Sequence, residues 1–214
     1  MDVTIIGTGN MARGIGSRVL AGGHRLRVVG KDRERAEAVA NDLHEGGAKG
    51  DIATAVSGDP LGGDVVVLAV YYPDAREAVE QYRGRLAGKI VVDITNPVNE
   101  SFDALVVPPE GSATQELSEL APDARMVKAF NTTFANTLTG GQVAGQPLDV
   151  FIAGDDPEAK DAVAALARDG GHNPIDAGSK RRARELEAVG LLHMIVQEPL
   201  GTGFASALKV LAQR

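Results

Sequence analysis

The sequence predicts an α/β fold, a doubly wound and mostly parallel sheet with helices on both faces. Short apolar runs alternate with stretches of helical character along most of the chain, and βαβα alternation builds parallel sheets. The runs are apolar throughout rather than at every second residue, as strands covered on both faces must be. A third observation is a glycine loop in the first strand-to-helix turn.

Val3-Thr4-Ile5-Ile6 is a short strand ending at Gly7, and residues 11–21 read as a helix stopped by Gly22-Gly23. Residues 26–29 (LRVV) form a second strand, and residues 33–43, rich in Ala, Glu and Arg, a second helix. The run DVVVLAV (64–70) is too apolar to have a wet face. A helix over 74–85 and a strand over 89–94 (KIVVDI) follow. RMVKAF (125–130), LDVFIA (148–153) and NPID (173–176) are further strands, the last two separated by a helix over 157–168. In Gly154-Asp155-Asp156-Pro157 the carboxylates read as a turn and a helix N-cap rather than an acid–base pair. The Pro/Glu/Gly-rich stretch VVPPEGSATQEL precedes the expected boundary. Residues 1–124 then form one domain, and residues 125–214 a smaller α/β domain of two or three strands and a closing helix.

Composition narrows the function. The 214 residues carry a net charge of −7 and only 4% aromatic residues, without tryptophan, so no nucleic-acid partner is expected. The absence of cysteine removes disulfides, thiolate catalysis, iron–sulfur clusters and Cys-type zinc sites. No His/Asp/Glu group has metal-ligand spacing, and no metal is expected. No apolar run approaches the ~20 residues of a membrane span, and MDVTIIG lacks the basic start and apolar core of a signal peptide. A cytoplasmic protein with no membrane partner is expected.

Gly7-Thr8-Gly9-Asn10-Met11-Ala12 is G-x-G-x-x-A between a strand and a helix. Gly7 permits the tight turn, Gly9 lets a pyrophosphate approach the backbone, and Ala12 lets the helix pack on the strand. The helix N-terminus offers free N–H groups to the phosphates. The domain is therefore Rossmann-like and its cofactor a dinucleotide. After the second strand the chain reads Gly30-Lys31-Asp32-Arg33-Glu34-Arg35. Lys31, Arg33 and Arg35 could clamp the 2′-phosphate of NADP. Alternatively Asp32 takes the ribose hydroxyls of NAD and the cations belong to the next helix. The number of cations favours NADP.

The segment AFNTTFANTL (129–138) looks like a place for chemistry, yet holds no carboxylate, histidine, lysine or cysteine. Tyr71, Tyr72 and Tyr82 have no lysine four residues on, and there is no room for a long helical domain carrying a catalytic lysine. His193, in GLLHMIVQ, reads as a packed histidine. Reducing a carbonyl or imine usually benefits from a placed acid. Hydride transfer to a flavin or deazaflavin needs chiefly that two rings be aligned, because the acceptor delocalises the charge itself. A wall of small, uncharged residues suits that task.

The segments GTGNMARG, LAVYYPDA, KIVVDITNP, KAFN, FIAGDDPEAK and DAGSKRRARELEA, in this order and spacing, resemble the NADPH-dependent reductases of coenzyme F420. The same pattern resembles the cytoplasmic domain of the six-transmembrane epithelial antigen metalloreductases, which use NADPH and a flavin. The resemblance implies a Rossmann-like N-terminal domain and a smaller C-terminal domain closing the far side of the cleft. It implies that Thr8, Gly9, Asn10 and Met11 meet the pyrophosphate, that Lys31, Asp32 and Arg33 lie near the adenosine ribose, and that Ala69, Val70 and Tyr71 border the cofactor. Asn96 and Pro97 would lie near the nicotinamide. Asn131, Thr132, Thr133, Phe134 and Ala135 would form the far wall and align the second ring, with Gly201, Thr202 and Gly203 receiving that molecule's tail. The implied second substrate is F420, or FMN or FAD, and the implied assembly a homodimer. Two segments depart from the deazaflavin reductases: Lys31-Asp32 replaces a Ser-Arg pair, and Asn131 and Phe134 replace a histidine and a proline. The rival expectations are a flavin or ferric reductase and a dinucleotide sensor without turnover. The cluster Lys180-Arg181-Arg182-Arg184 is either an anion-attracting patch or a solvated face.

Overall fold

The structure, a computed structural model, describes residues 1–212. In chain order the elements are β1 (Asp2–Ile6), α1 (Asn10–Ala21), β2 (Arg25–Gly30), α2 (Arg33–Glu45), β3 (Ile52–Val56), β4 (Val65–Leu68), α3 (Tyr72–Tyr82) and β5 (Ile90–Asp93). There follow α4 (Ala113–Leu120), β6 (Arg125–Lys128), α5 (Ala135–Gly140), the short hairpin β7 (Gln142–Val143) and β8 (Gln146–Pro147), β9 (Asp149–Gly154), α6 (Pro157–Asp169), β10 (Asn173–Gly178), α7 (Ala183–Ile195) and α8 (Gln197–Leu200).

Eight strands form one sheet in the order β10-β9-β6-β5-β4-β1-β2-β3. Strands β1 to β6 are mutually parallel, while β9 runs antiparallel to β6 and parallel to β10. This is the doubly wound, mostly parallel sheet expected, and its order reverses between β1 and β4, where ligands of such sheets bind. The sheet runs across the boundary expected at 124–125, because β6 pairs with β5 on one side and β9 on the other. The stretch leading up to that boundary is itself structured. Ser112 caps α4 by accepting from Gln115 N (3.1 Å), and Leu117 is fully buried.

Alternating residues of the strands feed two cores. Val65 and Val67 pack with Ile5, Val28, Ile15 of α1, Val39 of α2 and Val163 of α6. Val66 and Leu68 pack on the other face with Val79 and Tyr82 of α3 and Leu117 of α4. Strand β3 escapes an apolar-run criterion because it lies at the sheet edge and buries only Ala55. Asp156 caps α6 through Ala159 N (3.0 Å) and is gripped by Arg125 at 2.5 and 2.9 Å, so the turn-and-cap reading of that carboxylate holds.

Arg18, in the last turn of α1, has no carboxylate partner among the described residues. Its side chain lies against Gly141 and Gly170, the residues that end α5 and α6. Its guanidinium thus lies at the negative end of α5, where Gly141 follows the last turn. Beside it His172 is buried edge-on to Phe130, with ring centroids 6.4 Å apart. Burial, and then the Arg18 charge, lower the His172 pKa to about 4. The folded chain therefore favours the neutral ring, while the unfolded chain takes up a proton below the ordinary value near 6.5. The stability this contributes is fully present above pH 6.5 and lost as pH falls towards 4. His193, its proton affinity also lowered by burial, adds in the same direction. Urea midpoints should fall between pH 7 and pH 4.5, and His172→Phe should make that fall shallower; an unchanged slope would exclude His172 as its source.

Candidate active site

The loops following β1, β4, β5 and β6 meet at the carboxyl edge of the sheet. Gly7 has φ 130°, and a Cβ built on it would lie 2.1 Å from Ala69 O. The glycine therefore lets the first loop press onto the end of β4. Gly9 is the opposite case: a Cβ there would meet nothing within 4 Å. It is exposed and forms the N-cap of α1, whose first turn has no side-chain cap and no acidic residue. Asn10 and Met11 open the helix, and Arg13 Nη1 donates to Thr8 O at 2.5 Å. This helix end, free of carboxylate and of steric cover, fits a pyrophosphate.

At the end of β2, Lys31 pairs with Asp74 of α3 (3.1 Å). Asp32 caps α2 by accepting from Arg35 N (2.9 Å), and its other oxygen lies 3.3 Å from Arg35 Nε. The Asp32 carboxylate is thus engaged with its own helix, leaving Arg33 exposed at the rim without an ion-pair partner among the described residues. After β4, Ala69 is buried, Val70 half-buried and Tyr71 77% exposed. Tyr72 turns away and donates to Glu116; burial first, and then that carboxylate, raise its pKa to about 12.

Asn96 and Asn131, from the ends of β5 and β6, bind each other. Asn131 Nδ2 donates to Asn96 Oδ1 (2.9 Å) and to Leu186 O (2.8 Å), and Asn96 Nδ2 donates to Asn131 O (2.8 Å). Pro97 is buried next to them. The pair is seated on Gly190 of α7, where a Cβ would lie 2.6 Å from Asn96 Oδ1. Gly190→Ala should displace Asn96 and lower stability by about 1–3 kcal/mol. A urea melt within about 0.5 kcal/mol of the parent protein would show that this seat does not matter.

Beneath the pair lies a cluster that motif reading passes over. Lys128 Nζ donates to Asp93 Oδ2 (2.9 Å), Glu187 Oε1 (2.8 Å) and Thr95 O (2.5 Å), and all three charged side chains are 0% exposed. Asp93 also accepts from Thr114 Oγ1 (2.7 Å) and Thr95 N (2.8 Å), and Glu187 accepts from Ala113 N (3.1 Å). Burial works against the Lys128 ammonium, but the two carboxylates more than offset it and raise its proton affinity. Burial raises the Glu187 pKa. A sequence signal existed for two of the three: an Asp and a Lys stand in otherwise apolar strands, and they are register partners across β5 and β6. Glu187 had none.

The segment from Asn131 to Ala135 leads into α5, which packs on α1 at Gly14; a Cβ there would lie 3.2 Å from Ala135 O. Asn131, Thr132 and Thr133 are buried, while Phe134 and Ala135 are half-buried. The Phe134 ring stacks on His193 (4.2 Å) and meets Phe204 edge-on (5.1 Å). His193 is 2% exposed, bonded to Thr132 O (3.1 Å) and Ser206 Oγ (2.9 Å), so it packs as the sequence suggested. Gly201 ends α8 in a left-handed turn, Thr202 Oγ1 donates to Gln197 Oε1 (2.5 Å), and Gly203 leads into Phe204. This stretch thereby lies beside Phe134. Lys180 and Arg182 bind Asp155 (3.7 Å) and Glu185 (3.2 Å) at the surface, as a solvated face does.

Gly9, Asn10, Ala69, Val70, Asn96, Pro97 and the 131–135 segment bring no ionisable side chain to this edge. Among the described residues no group of His, Asp and Glu could hold a metal ion, and no helix is long and apolar enough to cross a membrane. The arrangement can hold and align flat ligands; apart from the exposed Tyr71 hydroxyl, these residues offer them no acid or base.

Residues 2–97 match the family described as NADP oxidoreductase, coenzyme F420-dependent. The chain is 29% identical over 202 residues to an F420-dependent NADP reductase of Methanocaldococcus jannaschii, covering 88% of this chain and 89% of that one. It is 29% identical over 189 residues to metalloreductase STEAP3 of Rattus norvegicus, of whose length it spans only 36%. Among solved structures, a protein provisionally described as an F420-dependent NADP-reductase from Arthrobacter sp. FB24 superposes with a TM-score of 0.85 at 27% identity, covering 98% and 99% of the two chains. A Streptomyces aurantiacus imine reductase, at 18% identity and a TM-score of 0.65, shares the fold. The resemblance read from the motifs holds for both groups of reductases.

Proposed function

We infer that this chain, a relative of the coenzyme F420-dependent NADP oxidoreductases, is an NADP-dependent oxidoreductase passing a hydride between NADP(H) and the deazaflavin F420. The observation that carries this reading, beside the kinship, is a sheet edge at the switch point where Asn96, Pro97 and the 131–135 segment gather without an ionisable side chain, Tyr71 being the titratable neighbour. Nicotinamide supplies the hydride and the conjugated acceptor ring takes it, so the protein's task is alignment. Gly9 and the uncapped start of α1 hold the pyrophosphate, and Arg33, with Lys31 once released from Asp74, meets the 2′-phosphate. Ala69, Val70 and Tyr71 border the dinucleotide. Asn96 and Pro97 form the floor under the nicotinamide, and the 131–135 segment the opposite wall. The mutual bonds of Asn96 and Asn131 fix the separation of those two surfaces.

Mixing the protein anaerobically with NADPH and oxidised F420, and separately with FMN, tests the reading. Rapid loss of deazaflavin absorbance is expected, and Ala135→Trp should abolish it by filling the second ring's place. Bleaching of FMN alone would move the chain to a flavin or ferric reductase, the reading its kinship with the metalloreductases favours. Tight NADPH binding with neither reaction would leave a different substrate or a dinucleotide sensor, which a broad acceptor panel separates. We further infer a cytoplasmic homodimer. Val189, Leu192 and Ile195 leave α7 with an exposed apolar stripe (36%, 60% and 45%) that a second copy would cover.

A further inference from the structure

Two exposed phenylalanines hold backbone conformations that burial does not repay. Phe102 has φ 55° and Phe204 φ 63°, in the left-handed region where a Cβ crowds its own backbone and Gly, Asn or Asp ordinarily stand. Such conformations persist only where the surroundings impose them, and they cluster at functional sites. Phe130, at φ 62°, is accounted for by a ring 2% exposed in the core. Phe102 and Phe204 remain 51% and 47% exposed.

Phe102 belongs to the loop that follows Asn96, and Phe204 to the C-terminal stretch lying on Phe134, in the segment that begins at Asn131. Phe102 sits at the tip of the turn over 97–106 that directly follows Asn96. Val98 pairs with Leu105, and Val106 N donates to Pro97 O (2.7 Å). Asn99 Oδ1 accepts from Asp103 N (3.1 Å) and Ala104 N (3.2 Å), and Phe102 N donates to Asn99 O (3.0 Å). The tip is thus rigidly braced. Phe204 approaches from the C-terminal stretch, edge-on to Phe134 and held between the Thr202–Gln197 and Ser206–His193 bonds. Tyr71 follows β4, and β4, β5 and β6 are neighbours. A chain with only five Phe and three Tyr therefore exposes three of them on loops of one sheet edge.

We propose that Phe102 and Phe204 determine specificity for the second substrate by stacking on a flat, conjugated heterocycle, and so select it over a small carbonyl or imine. This rests on the reading of the site as a hydride-transfer crevice. An exposed aromatic face recognises another π-face and gives little grip to a molecule of a few atoms. Both residues stay about half exposed, Phe204 with its ring edge-on to Phe134.

The test is Phe102→Asn and Phe204→Asn, since asparagine accepts the left-handed conformation more readily. Each variant should melt at or above the temperature of the parent, raise the KM for F420 at least ten-fold, and leave the KM for NADPH within two-fold. A lowered melting temperature with an unchanged KM for F420 would mean that the rings serve the fold alone and would overturn the proposal. If the parent protein reduces neither F420 nor FMN, the preceding functional reading fails, and direct titration with F420, followed by its fluorescence, decides this proposal separately. At least ten-fold weaker binding by the variants supports it; equal binding, or none by the parent protein, overturns it.

Discussion

Lys128→Met is expected to destabilise the protein by about 3–5 kcal/mol, because it strands two buried carboxylates. Asp93 and Glu187 lie 2.9 and 2.8 Å from the ammonium, and all three side chains are 0% exposed to solvent. In the variant one carboxyl must take up a proton. Its folded pKa then stands above the unfolded value, so the folded state binds the extra proton. Residual stability will be greatest below about pH 4 and fall as pH rises through the raised folded pKa. Glu187→Gln should cost less, about 1–3 kcal/mol: it leaves the Lys128–Asp93 pair intact and keeps an acceptor for Lys128, but sets an amide NH2 against the Ala113 N–H that the second oxygen served. Urea melts of both variants across pH 4–8 check this. Equal losses for the two would show that the cluster acts by packing rather than by charge.

Gly7→Ala is the second large effect, expected at about 4 kcal/mol. A left-handed strain of about 1–3 kcal/mol adds to a comparable cost for forcing a methyl group against packed atoms. That methyl would lie 2.1 Å from Ala69 O, and backbone can give way only by separating the glycine loop from the end of β4. NADPH binding should be lost even in the population that folds. Gly9→Ala is the control. With nothing within 4 Å of its Cβ, it should stay within about 1 kcal/mol of the parent in stability yet weaken NADPH binding at least ten-fold by obstructing the pyrophosphate. Calorimetric titration with NADPH, alongside thermal melts, separates the two. Tight binding by Gly7→Ala would mean that this contact does not shape the dinucleotide site.

The doubly wound sheet was legible because its central strands are buried on both faces and therefore read as unbroken apolar runs. The glycine loop was legible because backbone approach demands small residues at fixed spacing. Strand β3 was less legible because an edge strand needs apolar cover on one side only, and α4 because proline and glycine precede a helix whose buried face is two turns long. Phe134 was expected to meet a second ring and is found against His193 and Phe204 of its own chain, a contact between residues 59 and 70 positions apart that local pattern cannot encode.

Local sequence by itself determined the layers of this protein, the glycine loop between β1 and α1 and the absence of an acid–base group from the 131–135 segment. Each depends on side-chain size, polarity and spacing over a few residues. Tertiary structure alone decided that Glu187 of α7 completes the charge balance under β5 and β6, that Gly190 seats the Asn96–Asn131 pair, and that the C-terminal stretch lies on Phe134. The physical reason is that a buried charge or amide must find its partners wherever the fold brings them, and here Glu187 reaches Lys128 from 59 residues away and Leu186 O reaches Asn131 from 55.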